Sequence, residues 1–356
     1  FGDGIDDQRQ CGGTRGGGVG SRNSVVHEGC GSQRDHDGNI VVTGAAGFIG
    51  SCVAKDLTET YSDQVVLVDD FSRIDKTPNL TSVNSLLQVD RNDFFEWSKD
   101  KDIRAIIHLG ARTDTTEFNW DIFQKLNIDY TKSIWKLCER KQTRLIYASS
   151  AATYGAGELG YKDDHEVVSS LKPLNPYGES KNDIDEWILN QPQTFPWYGL
   201  KFFNVYGPNE YHKGRMASVV LHAFKQVSSN GALKLFRSHN ADFKDGEQLR
   251  DFIYVKDVSK VIDYLMNLDG NWGLYNLGTG RARTFIDLGK SVFKAMGIEP
   301  IIDFIDTPLD IQDKYQYFTE ADMSKLKSTG YKEEFYDLET GIQEYVDNYL
   351  KGHKSY

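Results

Sequence analysis

Cysteine is scarce in this chain, and long apolar runs are lacking. The 356 residues include only four cysteines: Cys11, Cys30, Cys52 and Cys138. Their spacing matches no common metal site, so we predict no bound metal. No apolar run is long enough to cross a bilayer, and no signal-peptide pattern opens the chain. Together these features predict a protein of a reducing compartment, the cytoplasm.

Positive charge is also in short supply. The chain has 41 lysines and arginines against 52 aspartates and glutamates, which gives a formal net charge of −11. This balance argues against nucleic acid and against an acidic membrane surface as partners. An anionic ligand must therefore be bound by a local group of basic side chains. Hydrophobic residues make up 39% of the sequence, enough for a sizeable core.

The first 39 residues differ from the rest of the chain. They are rich in Gly, Arg, Asp and Gln, contain few apolar residues and show no periodicity. Such a segment cannot bury enough apolar surface to offset the entropy lost on ordering. We therefore predict that 1–39 is a disordered extension of the folded protein.

From Ile40 onward, apolar strand patterns alternate with helical patterns. The predicted strands are 40–43, 65–69, 86–89, 105–109, 144–148 and 199–203. The alternation predicts an α/β fold, a doubly wound parallel (Rossmann) sheet over 40–204. Shorter, mixed elements follow, and they predict a second, smaller substrate lobe over 205–350 that returns segments to the main sheet. Residues 351–356 are a tail.

A glycine-rich turn follows the first predicted strand. Gly44, Gly47 and Gly50 have G-x-x-G-x-x-G spacing between an apolar run and a helical pattern. In a dinucleotide site these glycines allow a tight turn, close approach of backbone to a pyrophosphate, and close helix packing. Asp69 ends the second strand roughly 20 residues past the last glycine, where a ribose-binding acid is expected. The sequence thus predicts a dinucleotide site.

The pattern Tyr-x-x-x-Lys occurs at Tyr177 and Lys181, downstream of the fifth strand and of Ser150. Residues four apart share one face of a helix, so both side chains would point into one site. A free tyrosine has a pKa of about 10, too high for a base near neutrality. We expect the nearby lysine and the nicotinium charge of the cofactor to lower the pKa of Tyr177. Ser150 would hydrogen-bond the oxygen being oxidised.

These motifs resemble the extended short-chain dehydrogenase/reductase family, whose members act mostly on nucleotide sugars. The resemblance covers about 40–350 and rests on the glycine turn, the run 147–155, Tyr177-x-x-x-Lys181, and the segments 173–175, 204–208 and 212–218. The resemblance is strongest to members that epimerise an ADP-linked heptose at C6, by way of a transient ketone. Members that act as 4,6-dehydratases carry an acid after the serine-rich strand, whereas 151–153 here read Ala-Ala-Thr.

The resemblance implies two proton-handling groups, Tyr177 and Lys213, on opposite faces of the sugar carbon. It also implies cofactor contacts, including Asn127 and Val205, and a basic residue matching Lys76. Asp69 favours NAD. Three basic residues that are close in sequence, Arg73, Lys76 and Arg91, could gather round a 2′-phosphate, and together with the resemblance they favour NADP. We predict NADP, and NAD stays open. The full set of predicted cofactor residues is Gly44, Gly47, Phe48, Ile49, Gly50, Asp69, Asp70, Lys76, Arg91, Leu109, Gly110, Ala111, Arg112, Asn127, Tyr177, Lys181 and Val205.

The resemblance further implies residues that bind the nucleotide-diphosphate sugar (ADP-heptose). They are Ser150, Asn204, Lys213, Arg215, His222, Phe236, Arg250 and Tyr315. The planar guanidinium of Arg250 suits a diphosphate. A homo-oligomer, with a pentamer as the expected form, is also implied. Two other functions stay open: a different nucleotide-sugar epimerase such as a UDP-hexose 4-epimerase, and a non-catalytic dinucleotide-binding protein.

Overall fold

A seven-stranded parallel sheet forms the centre of the protein. The computed structural model describes residues 38–61, 63–312 and 315–356. The strands of this part of the chain are β1 (Asn39–Thr43), β2 (Val65–Asp69), β3 (Leu87–Asp90), β4 (Ile103–His108), β5 (Arg144–Ser150), β6 (Trp197–Phe202), β7 (Asn204–Tyr206), β8 (Leu233–Phe236), β9 (Leu249–Tyr254), β10 (Gly273–Leu277), β11 (Ala282–Thr284) and β12 (Ile302–Ile305). The central sheet has the order β10-β6-β5-β4-β1-β2-β3. It confirms the predicted doubly wound α/β class.

The inner strands are apolar because helices cover both faces of the sheet. All five residues of β2 are buried, and β1 pairs with it in the register Val41↔Val66. On the other side of β1, Val42 pairs with Ile107 of β4. The strand order reverses between β1 and β4, and in open α/β sheets ligands bind at such a point, beyond the carboxyl ends of the strands.

Helices occupy the connections between strands. In the described residues they are α1 (Phe48–Thr60), α2 (Phe94–Trp97), α3 (Trp120–Phe123), α4 (Tyr130–Lys141), α5 (Pro176–Leu189), α6 (Val219–Asn230), α7 (Val255–Asn267), α8 (Phe285–Met296), α9 (Leu309–Gln312), α10 (Ser324–Ser328) and α11 (Leu338–Tyr345). A π-helical segment, Gln124–Asp129, joins α3 to α4 into one continuous helix that is locally widened. Such widenings occur often at functional sites.

Several strands after residue 204 were not predicted. The strand β10 pairs in parallel with β6 and completes the edge of the central sheet. The other late strands form two small sheets, ordered β11-β9-β7 and β12-β8. The described residues belong to one compact unit, so the division into 40–204 and 205–350 stays a prediction.

The amino-terminal boundary differs slightly from the prediction. The predicted extension 1–39 lies outside the described residues except for its last two positions, and Asn39 already opens β1. Asn39 belongs to the strand because its backbone N–H donates to Asp102 O at 3.0 Å. Across the described parts of the chain, no helix combines the length and apolar character needed to span a bilayer.

Candidate active site

The glycine turn joins β1 to α1 under tight steric limits. Gly44 has φ +68°, in the left-handed region that favours glycine. A Cβ atom on Gly44 would lie 2.6 Å from the backbone nitrogen of Gly110, in the loop after β4. A Cβ atom on Gly50 would lie 2.1 Å from the carbonyl oxygen of Gly44. The first and third glycines therefore allow the turn and the close approach of α1 beneath it.

The middle glycine has a different role. The backbone of Gly47 is extended, and a Cβ atom there would meet only the carbonyl oxygen of Gly44, at 3.1 Å. Among the described residues, no side chain caps the N-terminus of α1. The free N–H groups and the positive end of the helix dipole therefore face the space beside Gly47, as an anion site requires.

That space is a cavity of about 450 Å³ at the carboxyl ends of β1, β2 and β4, which we call the larger cavity. It is lined by most of the predicted cofactor residues: Gly44, Gly47, Phe48, Ile49, Gly50, Asp69, Asp70, Lys76, Arg91, Leu109, Gly110, Ala111 and Arg112. Asn127 does not line the cavity. Its side chain fixes the backbone of the lining residue Arg112, because it hydrogen-bonds both the N–H and the carbonyl of Arg112, at 2.8 and 3.0 Å.

Carboxylates and basic side chains alternate at the β2 side of the larger cavity. Asp69 accepts from the backbone N–H of Ala46 at 2.9 Å and from Lys76 Nζ at 3.3 Å. Arg91 forms a 3.2 Å ion pair with Asp70. Arg73, which also lines the cavity, is paired with Asp75 outside its lining. The predicted basic cluster is thus assembled, and each of its members already contacts a carboxylate.

The residues present fit a dinucleotide. Gly47 leaves room for a pyrophosphate where a Cβ atom would stand, and the uncapped helix offers it donors. Arg112, which lines the larger cavity, has a buried Nε that lacks a hydrogen-bond partner within the described residues. An unpaired buried donor is costly, so a bound polar group at this position would be stabilising.

A second cavity of about 310 Å³, the smaller cavity, holds the predicted chemical groups. Ser150, Tyr177, Lys181, Asn204, Val205 and Lys213 all line it. Seven residues line both cavities: Phe48, Ile49, Leu109, Ala111, Thr113, Lys213 and Met216. The two spaces are therefore neighbours, and Lys213 borders both.

Tyr177 and Lys181 lie on the first turns of α5, which begins at Pro176. Asn175 caps the helix by accepting from the N–H of Gly178 at 2.9 Å. Lys181 donates to the carbonyl of Ala148 at 2.6 Å, and burial lowers its pKa to about 8. The predicted lowering of the pKa of Tyr177 includes the charge of a bound cofactor and stays a prediction; the chain alone shows the opposite direction. Burial raises this pKa, and the hydrogen bond with Ser150 offsets the rise only in part.

An unpredicted buried network lies behind these groups. Asp185, one turn beyond Lys181 on α5, accepts from Tyr147 at 2.8 Å, from Ser149 at 2.6 Å and from Lys201 at 2.7 Å. Lys201 donates in addition to Thr153 at 2.8 Å. The network ties β5, β6 and α5 together and fixes the strand end that carries Ser150.

Lys213 is positioned by a 3-10 turn, Tyr211–Met216. Its backbone N–H donates to the carbonyl of Glu210 at 3.0 Å, and its Nζ lies 5.9 Å from the centre of the Phe48 ring. The side chain of Glu210 is fully buried and accepts from Tyr345 at 3.0 Å. Burial lowers the pKa of Lys213, which brings this amine closer to the range in which it can exchange a proton.

The remaining predicted substrate residues lie outside the lining of both cavities. Arg250 is buried, donates to the carbonyls of Leu249 and Gln316, and lies 5.5 Å from the Tyr315 ring. The rings of Tyr315 and Phe236 are 6.3 Å apart. These three form one cluster. His222 lies apart, with its Nε2 3.3 Å from the carbonyl of Arg215. The substrate roles of these residues stay predictions.

Sequence reasoning missed His212 and Asp114, two titratable residues that line the larger cavity. His212 directly precedes Lys213, so the segment that suggested Lys213 already contained the signal. Asp114 follows β4 and contacts Arg112 and Arg215 at 3.4 and 3.5 Å. In the described residues, no three His, Cys, Asp or Glu side chains are grouped as metal ligands would be.

The parallel sheet, the glycine turn, and a Tyr-x-x-x-Lys pair beside a serine define a nicotinamide dinucleotide enzyme that acts on a carbinol or carbonyl group. The model of the NAD dependent epimerase/dehydratase family matches residues 40–278. The chain belongs to this family, which confirms the resemblance found in the sequence.

Individual relatives agree with this assignment. ADP-L-glycero-D-manno-heptose-6-epimerase of Fusobacterium nucleatum is 46% identical over 330 residues, which cover 89% of this chain and 99% of that protein. The same enzyme of Nitratidesulfovibrio vulgaris is 45% identical over 314 residues, 87% of this chain and 97% of that protein. The crystal structure of the Helicobacter pylori enzyme has a TM-score of 0.73 at 29% identity, covering 88% of this chain and 96% of that one.

Proposed function

We propose that this protein inverts C6 of an ADP-linked glycero-manno-heptose, with NADP as its resident cofactor. The observation that carries the proposal is the position of Lys213, which borders both cavities, while Ser150, Tyr177 and Lys181 line the smaller one. The similarity to ADP-L-glycero-D-manno-heptose-6-epimerases spans nearly the whole length of those relatives and supports the choice of sugar.

The glycine turn, Asp69 and the loop after β4 would hold the cofactor. When bound, a nicotinamide dinucleotide removes hydrogen with its electron pair from the sugar carbon and returns it after the ketone has turned over. Ser150 would donate a hydrogen bond to the carbinol oxygen. Tyr177 would accept or return the hydroxyl proton on one face of the sugar, and Lys213 on the other. Two such groups are needed because inversion places the hydroxyl on opposite sides in substrate and product.

Lys181 would act on Tyr177 through charge. Burial opposes the phenolate, so a positive charge near the ring is needed to bring the pKa of Tyr177 toward neutrality. Asp185 acts in two ways: its charge favours the protonated form of Lys181 against the effect of burial, and it also raises the pKa of Tyr177 directly. A bound cofactor would add its own positive charge on the same side.

The choice of NADP rests on the pairing of Asp69. A free carboxylate at the end of β2 would repel a 2′-phosphate, but this one is paired with the charge of Lys76 and also accepts a hydrogen bond from the N–H of Ala46. Arg73 and Arg91 line the same cavity and could rotate from their carboxylate partners toward a phosphate. Since cations and carboxylates balance here, the selection of NADP over NAD would depend on directed hydrogen bonds more than on net charge.

A label experiment tests the proposed reaction. Purified protein is supplied with ADP-D-glycero-D-manno-heptose in deuterium oxide, and the product is analysed by NMR and mass spectrometry. The expected product has inverted configuration and no deuterium at C6, since the hydrogen removed is the one returned. Deuterium at C6 would overturn direct oxidation in favour of deprotonation beside a carbonyl. Turnover of UDP-galactose without turnover of the heptose would overturn the substrate assignment.

A further inference from the structure

The imidazole of His212 faces the larger cavity from the loop that carries Lys213. Nothing in the proposed reaction uses it. The loop is anchored at its start, where Asn209 is buried with φ +72°. Asn209 also donates from its side chain to Ser51 Oγ of α1, at 2.9 Å. His212 is therefore held against the amino-terminal end of α1 rather than placed freely on the surface.

The hydrogen bonds of Asn79 determine which nitrogen of His212 carries the proton. Asn79 is buried, and its Nδ2 lies 3.0 Å from the carbonyl of Ala46 and 3.1 Å from that of Asn209. An atom between two carbonyl oxygens must be the amide NH₂, which only donates. The same Nδ2 lies 3.3 Å from His212 Nδ1. Both amide hydrogens serve the two carbonyls, and a proton on Nδ1 would point at this donor group. The proton of the neutral ring is therefore assigned to Nε2.

Burial keeps the His212 ring neutral, and three nearby cations add to its effect. Lys76, Arg73 and Lys213 oppose its protonation, and Asp75 is the carboxylate that favours it. Burial acts in the same direction as the three cations and lowers the pKa of His212 to about 4. Among the described residues, Nε2 has no hydrogen-bond partner. The ring thus presents one uncharged N–H donor to the cavity.

We propose that His212 is a binding residue for a phosphate group of the dinucleotide, to which its Nε2–H donates. The inference rests on the proposed use of this cavity for a dinucleotide. A neutral donor is suited to a site where cations and carboxylates already balance, because it adds a directed hydrogen bond without adding charge. The phosphate could be the pyrophosphate, which NAD and NADP share, or the 2′-phosphate, which only NADP has.

The test compares His212→Phe with His212→Gln. Phenylalanine keeps a planar ring and removes both nitrogens, whereas glutamine can place an amide N–H near the position of Nε2. The protein is freed of nucleotide, and NADPH and NADH are titrated separately by fluorescence at pH 7.5. The matched control is His239→Phe, at an exposed loop position outside the lining of the larger cavity.

We expect His212→Phe to weaken NADPH binding by about tenfold or more, the value of one hydrogen bond to a charged group. Glutamine should restore much of the loss, and the control should bind as the unchanged protein does. A loss confined to NADPH identifies the 2′-phosphate as the partner, and an equal loss for NADH identifies the pyrophosphate. Unchanged affinity for both nucleotides in His212→Phe overturns the inference.

Measurements on the unchanged protein show whether the role of His212 and the proposed reaction fail separately or together. If the unchanged protein binds NADPH but does not turn over the heptose substrate, the proposed reaction fails while the role of His212 is still measurable. If it binds neither nucleotide, the proposed use of the cavity fails, and the inference about His212 fails with it.

Discussion

Lys201 Nζ lies 2.7 Å from Asp185 Oδ2, and at most 1% of either side chain is exposed to solvent. The pair is surrounded by neutral donors and acceptors, since Tyr147 and Ser149 also bond Asp185 and Thr153 bonds Lys201. Two buried charges are stable only while each compensates the other. The network joins the strand end of Ser150 to the helix of Tyr177 and Lys181, so its integrity bears on the geometry of the site.

Removing one charge of this pair should be strongly destabilising. Asp185→Asn leaves Lys201 buried without a counter-ion, and we expect a loss of about 3–5 kcal/mol in the free energy of unfolding. Asp269→Asn is the matched control, because Asp269 is fully exposed and pairs with Arg144 at 3.5 Å; there we expect little or no change in stability. Urea denaturation measures both. Equal small losses would mean that the buried ion pair does not hold the site together.

Acid should destabilise the protein through His108 on β4. This ring is buried between Thr43 and Thr131, at 2.6 and 2.9 Å, and burial, aided by the charge of Lys181, lowers its pKa to about 3. The unfolded chain protonates near pH 6.5, so between pH 6.5 and 3 the unfolded state binds more protons. Stability from this group is therefore fully present above pH 6.5 and falls progressively toward pH 3.

Urea denaturation of the unchanged protein and of His108→Gln across this range measures the effect. Glutamine does not titrate, so the stability of the variant relative to the unchanged protein should rise as the pH falls, by a few kcal/mol over the whole window, roughly 1.4 kcal/mol per pH unit at most. Parallel pH profiles for the two proteins would show that His108 is not kept neutral by the fold.

The glycines of the turn should respond differently to alanine. Gly50→Ala would place Cβ 2.1 Å from the carbonyl of Gly44, so α1 must shift, with a cost of about 1–3 kcal/mol in unfolding free energy. Gly47→Ala meets only a 3.1 Å contact and should fold nearly normally. It should nevertheless weaken dinucleotide binding by about tenfold or more, because Cβ would obstruct the pyrophosphate. Thermal unfolding and NADPH titration separate the two effects; normal NADPH affinity in Gly47→Ala would contradict the assigned path of the pyrophosphate.

Cofactor selection should depend on Lys76 and Arg91. Replacing either with alanine removes a donor to the proposed 2′-phosphate, worth about 1.5–3 kcal/mol. Lys76→Ala also leaves the charge of Asp69 without its lysine partner, so NADP should be disfavoured further while hydrogen bonding to the free ribose of NAD is retained. Separate titrations with NADPH and NADH give the ratio of the two dissociation constants. The control is Lys99→Ala, because Lys99 is exposed and paired with Glu96. Equal losses for both nucleotides would make NAD the preferred assignment.

Local patterns made much of this site predictable. Gly44, Gly47 and Gly50 lie within one short segment that forms the turn by itself. Tyr177 and Lys181 share a helix face through simple i, i+4 spacing. Contacts between distant segments were not predictable. Asp185 and Lys201 belong to α5 and β6, and Asn79 and His212 are separated by 133 positions. No periodicity in a single sequence records such pairs, and β10 was missed because it is short and begins with glycine.

The pKa of Tyr177 shows a different limit. Spacing indicates that a lysine is near, but the sign of the shift depends on how much burial opposes the charge. In the folded chain burial dominates, and Lys181 is bonded to the carbonyl of Ala148. The expected lowering therefore requires the charge of the bound cofactor, which residue spacing alone cannot evaluate.

The roles of Tyr177 and Lys213 can be separated by kinetics. Tyr177→Phe and Lys213→Met each remove one proton-handling group and keep most of the side-chain volume. We expect each to lower turnover of the heptose substrate by roughly 10²–10⁴-fold, the contribution of one general acid or base. Binding of the nucleotide sugar, measured by calorimetry with the product analogue ADP-mannose, should change little. Lys244→Met, on an exposed loop outside both cavities, controls for loss of a lysine. Full activity in Lys213→Met would show that Lys213 is not a proton-handling group, and it would reopen a one-base reaction such as that of a hexose 4-epimerase. A loss of ADP-mannose binding in step with turnover would instead assign Lys213 to binding alone.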